Sequence, residues 1–173
     1  MNHKLITTKL PAIKSESTSR CLTSKLWNYR DSDFDIYLPA KQPNTEKCSV
    51  SVYRLDMPMT FTEMACVATD VSTETPIDQL GLLLKQRGLT LTLKQLEVLV
   101  EKQESGIDVG IRTDSWATFA FIENKDGSVS VGLVSRYVGG WRGDLLPLGR
   151  GRRWRVDRRL LLRNSDSIET PQE

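Results

Sequence analysis

The sequence predicts an α+β domain, an antiparallel sheet with two or three helices packed on one face. Three observations point there. Residues 48–55 (CSVSVYRL) and several stretches between 107 and 162 alternate side chains with period two, as strands do. Between them, apolar residues recur every three or four positions behind helix-capping pairs. Finally, Asn124-Lys125-Asp126-Gly127 separates two alternating runs, and an Asp-Gly step is a strong hairpin signal.

Taken in order, residues 1–30 are rich in Ser, Thr and Lys, lack either period, and predict a flexible N-terminal extension. Phe34, Ile36 and Leu38 alternate in a short candidate edge strand closed by Pro39 and Pro43. Residues 48–55 carry β-branched and aromatic side chains and form the first clear strand. Thr60 and Glu63 make a capping box, and Phe61, Met64, Ala65, Ala68 and Val71 give a helix over 61–71. Thr75 is placed to cap a second helix with Pro76 in its first turn, where a missing N–H costs nothing. Its apolar stripe is Ile77, Leu80, Leu83 and Leu84, and Gly88 stops it. Thr92 and Gln95 box a third helix carrying Leu93, Leu96, Leu99 and Val100, ended by Gly106. With so few residues between the second and third helices, a helical hairpin or a helix-turn-helix corner is expected.

From residue 107 the pattern is β. Residues 107–113 predict a strand, and 116–123 with 128–137 predict a hairpin across the Asp-Gly step. Gly139, Gly140, Gly143, Gly149 and Gly151 then loosen the chain. A last strand is expected over 152–162, before a polar tail at 164–173. The core thus belongs to one domain over 31–163.

The totals exclude several classes. With 173 residues, 39% hydrophobic and 27% charged, the chain can bury a core without a metal or disulfide. No apolar run approaches the roughly 20 residues that span a bilayer. The first 20 residues lack the apolar stretch of a secretory signal. Cys21, Cys48 and Cys66 are odd in number and form no CxxC pair, so free thiols and a cytoplasmic protein are expected. His3 is the only histidine, which leaves no imidazole for acid–base or nucleophilic catalysis within the domain. Neither GxxxxGK[ST] nor GxGxxG occurs. No cofactor is implied, and a non-catalytic protein is expected.

The most unusual stretch is 136–163. It holds nine arginines, no lysine and only Asp144 and Asp157, which leaves +7 here and −5 over the rest of a chain of net charge +2. As a strand, residues 152–162 would point Arg153, Arg155, Arg159 and Arg163 outward and Trp154, Val156, Leu160 and Leu162 into the core. A planar guanidinium matches phosphate or carboxylate oxygens in pairs, which a lysine cannot do. Nucleic acid is therefore the leading expected partner. Arg150, Arg152, Arg153, Arg155, Arg158 and Arg159 would contact phosphates, with Trp141 or Trp154 stacking on bases. Arginines that merely guard an edge strand or pair with acids elsewhere are the competing reading.

Three shorter patterns carry resemblances. Phe119-Ala120-Phe121-Ile122, followed by Asp126-Gly127-Ser128 and Val131, resembles the first RNA-binding strand and turn of cold-shock domains. Its aromatic-Ala-aromatic core also resembles a strand of RNA-recognition motifs. Both likenesses imply that the paired aromatics stack on bases; a central strand apolar on both faces explains the same residues. Gly88-Leu89-Thr90-Leu91-Thr92 between two capped helices resembles the opening of helix-turn-helix repressors, although Glu97, Glu101 and Glu104 would repel phosphates. Asp108 with Glu123-x-Lys125 is similar to the acid and (D/E)xK pattern of restriction-type nucleases, which implies two acids on magnesium and a lysine acting on water. Asp31, Asp33 and Asp35 could likewise gather a hard cation, or simply form a polar turn. Arg142-Gly143-Asp144 spells an adhesion tripeptide that has no meaning inside a cell.

Three functions follow as expectations. The first is a non-catalytic module binding nucleic acid or another polyanion through the arginines. The second is an accessory or inhibitor protein docking on an acidic partner surface. The third is a magnesium-dependent nuclease using Asp108, Glu123 and Lys125.

Overall fold

A strand with apolar side chains on both faces needs cover on both sides, and that requirement sets the layering. The computed structural model describes residues 4–8, 50–124 and 126–163, with the backbone alone for 4–8 and no side chain for Lys94. Its elements are β1 (Lys4–Thr8), β2 (Val50–Arg54), α1 (Phe61–Thr69), α2 (Ile77–Gln86), α3 (Leu93–Glu104), β3 (Thr118–Glu123), β4 (Val129–Tyr137), β5 (Gly140–Pro147) and β6 (Arg159–Arg163). Among the described residues six strands form one sheet, in the order β1-β2-β6-β3-β4-β5. The α+β class is as the sequence predicts.

On β3, Phe119 and Phe121 join α1 and α2 residues Phe61, Met64, Leu80 and Leu84 in one cluster. Ala120 and Ile122, facing the other way, pack with Leu93, Leu96, Leu99 and Val100 of α3. Two helices thus share one face, and the third covers the opposite one. Gly132 of β4 lets α3 approach, since a Cβ there would stand 2.9 Å from Ile122 and 3.0 Å from Leu96. The segment between α2 and α3 is therefore no helix-turn-helix corner. It crosses the end of the sheet, where Leu91 bonds both Phe121 and Glu123 and Leu89 accepts from Arg163 N–H.

Both capping boxes form as their sequences predict. Thr60 Oγ1 accepts from Glu63 N–H at 3.1 Å, and Thr92 Oγ1 accepts from Gln95 N–H at 3.1 Å. Pro76 rather than Thr75 stands at the cap of α2, and Gly88 follows its end at φ +68°. The β3–β4 hairpin closes with Gly127 at φ +88°.

Several expectations change. The sheet is mixed, because β6 runs parallel to β3 while every other pair is antiparallel. Lys4–Thr8, inside the predicted extension, pairs with β2 along one sheet edge. Residues 107–113 make no strand; they lie over the sheet with Val109 and Ile111 buried, and Gly110 at φ +93° packs its Cα against Val52. Part of the glycine-rich stretch is strand β5, with Gly140 at φ +123° turning the chain out of β4. The strand expected over 152–162 is only Arg159–Arg163. It lies between β2 and β3 with Leu160, Leu161 and Leu162 all buried. The predicted strand at 33–38, Cys21, Cys48, Asp31, Asp33, Asp35, Lys125 and the tail at 164–173 lie outside the described residues.

Parallel pairing forces a crossover, and residues 148–158 supply it. The crossover is tied to residues 55–59 by four backbone hydrogen bonds. Trp154 and Met59 exchange two, Leu55 N–H donates to Arg158 O, and Asp157 N–H donates to Leu55 O, all at 2.8–3.1 Å. Trp154 enters the core against both Phe61 (ring centroids 5.6 Å apart) and Phe119 (4.9 Å), which touch each other edge to face at 5.2 Å. Removing that indole leaves a cavity its neighbours cannot fill. Trp154→Ala should lower unfolding free energy by about 3–5 kcal/mol, read as a drop in the urea midpoint at unchanged m-value.

Candidate nucleic-acid interface

The arginine-rich segment is a pinned loop with its side chains directed away from the core. Arg150, Arg152, Arg153 and Arg155 are exposed, whereas Arg158 and Arg159 are half-buried. Two of the six arginines expected on phosphates are engaged elsewhere. Arg153 Nη1 lies 2.6 Å from Glu63 Oε1, and Arg159 Nη1 donates to Gly110 O at 3.0 Å. Burial works against ionisation of Glu63, but the Thr60 N–H and Arg153 outweigh it and hold the carboxyl below its ordinary value. Among the described residues Arg150, Arg152, Arg155 and Arg158 have no acidic partner within ion-pair distance.

The two tryptophans expected to stack on bases are poorly placed for it. Trp141 is 4% exposed because β5 turns it toward α3, where its Nε1–H donates to Glu104 at 3.0 Å. Trp154 anchors the crossover and is covered by Arg152, whose guanidinium carbon lies 4.3 Å from the ring centre. Phe119 and Phe121, the aromatics of the cold-shock and RNA-recognition resemblances, are fully buried and stack on no ligand.

Trp116 is the more open ring. Its alternation with Ala120 and Ile122 predicts a core position, but it precedes β3 and is 39% exposed. Arg158 lies over its ring at 3.8 Å and Arg112 at 5.5 Å. Asp114 grips Arg112 through Nε at 3.0 Å and Nη2 at 2.5 Å, and Arg112 Nη1 donates to Asp157 O at 2.7 Å. Three described residues other than glycine have positive φ. Asp70 is the left-handed cap of α1, while Ser115 (+74°) and Asp157 (+69°) immediately precede Trp116 and Arg158. Backbone strain of this kind, of order 1–3 kcal/mol per residue, gathers where side chains must be held in place for function. Asp114-Ser115 ahead of an aromatic is the one sequence signal that could have flagged this turn.

Trp116 and Arg158 line a groove of about 400 Å3 with Tyr137, Asp144, Leu133 and Ser135, on the α1/α2 face where neither helix reaches. Arg142 lies over Tyr137 at 5.0 Å. Four cation–π contacts thus border one opening. Burial, and then the charges of Arg112, Arg155 and Arg152, push the Arg158 guanidinium below its ordinary value. Each of those three cations is therefore close enough to repel Arg158.

Of the residues in the nuclease pattern, Asp108 Oδ1 accepts from Gly110 N–H in the segment over β2, Glu123 ends β3 beside Leu91, and Lys125 lies outside the described residues; no three His, Cys, Asp or Glu side chains converge among the described residues. Glu97, expected on an exposed helix face, is 2% exposed. Cys66 is a free, buried thiol whose ionisation is suppressed by burial and by Glu63. No helix among the described residues is long and apolar enough to cross a membrane. Compared with known protein families, curated proteins and solved structures, the chain gives no match.

Two carboxylates, Asp114 beside this face and Glu104 on the α3 side of the sheet, titrate below their ordinary range. The Arg112 guanidinium lowers Asp114, and Arg136 with the Trp141 N–H lowers Glu104. A depressed carboxylate contributes stability above its unfolded pKa and loses it as pH falls through the folded value. Thermal stability should therefore decline from pH 6 toward pH 3. Asp114→Asn and Glu104→Gln together should flatten that decline while leaving the domain folded.

Proposed function

We propose that this face binds single-stranded nucleic acid without catalysis. The observation that carries the reading is the Arg158–Trp116 stack, with Arg112, Arg152 and Arg155 close enough to act on Arg158 and Asp114 offsetting them in part. Such crowding costs stability, and a bound polyanion relieves it. The exposed guanidinium groups of Arg150, Arg152 and Arg155 can offer their N–H edges to phosphate oxygens in pairs. Trp116 and Tyr137, 39% and 42% exposed, offer π-surface to bases, which single strands present unpaired. Duplex binding would instead call for an element shaped to enter a groove, and α3, which follows the segment resembling helix-turn-helix repressors, is packed into the core.

Anisotropy of a labelled single-stranded oligonucleotide tests the reading. If Arg150, Arg152, Arg155 and Arg158 each neutralise one phosphate, affinity should fall about 50-fold between 50 and 200 mM salt. Arg150→Gln, Arg152→Gln and Arg155→Gln combined should weaken binding and remove most of that salt dependence. No binding at 50 mM salt, or affinity indifferent to salt, contradicts the proposal. Recovery of a stoichiometric, nuclease-resistant protein partner would replace it with docking on an acidic protein surface.

A further inference from the structure

The groove beside Trp116 contains a group that a purely electrostatic polyanion site would exclude. Asp144, on β5 opposite Leu133 of β4, lines it half-buried and has no hydrogen bond or ion pair among the described residues. A carboxylate in the path of a phosphate chain weakens binding. One that receives base N–H groups adds selectivity.

Building on the nucleic-acid reading of this face, we infer that the groove is a nucleobase pocket in which Asp144 selects guanine. An ionised carboxylate only accepts hydrogen bonds, and its two oxygens favour two parallel donors. Guanine alone among the four bases presents two adjacent donors, N1–H and the N2 amino group, on its pairing edge. Adenine and cytosine place a bare ring nitrogen beside the amino group, and uracil or thymine flanks one N–H with two carbonyls. Each of these sets a lone pair against a carboxylate oxygen. Trp116 and Tyr137 supply walls for the base, and about 400 Å3 accommodates a ligand of nucleoside size. Asp144 sits on a strand rather than a loop, so its position is set by the β4–β5 register.

The test uses labelled pentamers of uridine or thymidine with the central position changed to G, A or C, in RNA and DNA series, at 50 mM salt. Wild-type protein should bind the G pentamer on the order of tenfold more tightly than the others, and the series showing the larger preference identifies the sugar. Asp144→Asn, which presents one donor and one acceptor that every base edge can match, should abolish the preference for G while keeping the salt dependence. Equal wild-type affinity for all central bases, with salt dependence intact, overturns the pocket and leaves the polyanion reading standing. A preference for G that survives Asp144→Asn overturns the role of Asp144. Failure to bind any pentamer overturns the pocket together with the reading beneath it.

Discussion

The packing of Trp154 against the touching rings of Phe61 and Phe119 is the contact on which this structure turns. Because β6 enters the sheet parallel to β3, the chain must travel from the end of β5 across one face before it can pair. An eleven-residue crossover rich in arginine and glycine has little apolar surface of its own to hold it there. One indole supplies the anchor, and the paired hydrogen bonds with residues 55–59 fix the backbone on either side. Every arginine of the loop inherits its position from that anchorage. A loop fixed before binding loses less conformational entropy when a ligand arrives than a mobile basic tail would.

The anchoring also explains how like charges come to be gathered. Arg112, Arg152 and Arg155 each repel the half-buried Arg158, and Asp114 offsets that only in part. Arginine tolerates such crowding better than lysine because its guanidinium is weakly hydrated and stacks on indole faces. The core on the other side of the sheet has no part in this. It is built around α3, whose residues Gln95 to Val100 are all buried, and it supplies the stability against which a strained, cationic face can be maintained.

Local chemistry was legible wherever one residue type dictates one conformation. The Thr60/Glu63 and Thr92/Gln95 boxes, the Gly88 stop and the Asp126-Gly127 turn all form where the sequence places them. The alternation of Phe119 and Phe121 against Ala120 and Ile122 gave the two faces of β3. Residues 152–158 misled because Arg-Arg-Trp-Arg-Val mimics period two when only Trp154 enters the core and positive φ at Asp157 breaks any extended run. The clearer signal lay in Leu160-Leu161-Leu162, three consecutive apolar residues that fit a strand covered on both sides. Trp141 and Trp116 exchanged roles for a non-local reason. The β4–β5 register sends Trp141 toward α3, and a strained turn lifts Trp116 off the sheet.

Native-state hydrogen exchange on the free protein addresses the anchored crossover most directly. The amides of Leu55, Met59, Trp154 and Asp157 should exchange only through global opening, with protection matching that of β3. If these four exchange far faster than the strand amides, the crossover is loose in solution and the arginines it carries are not held as a surface.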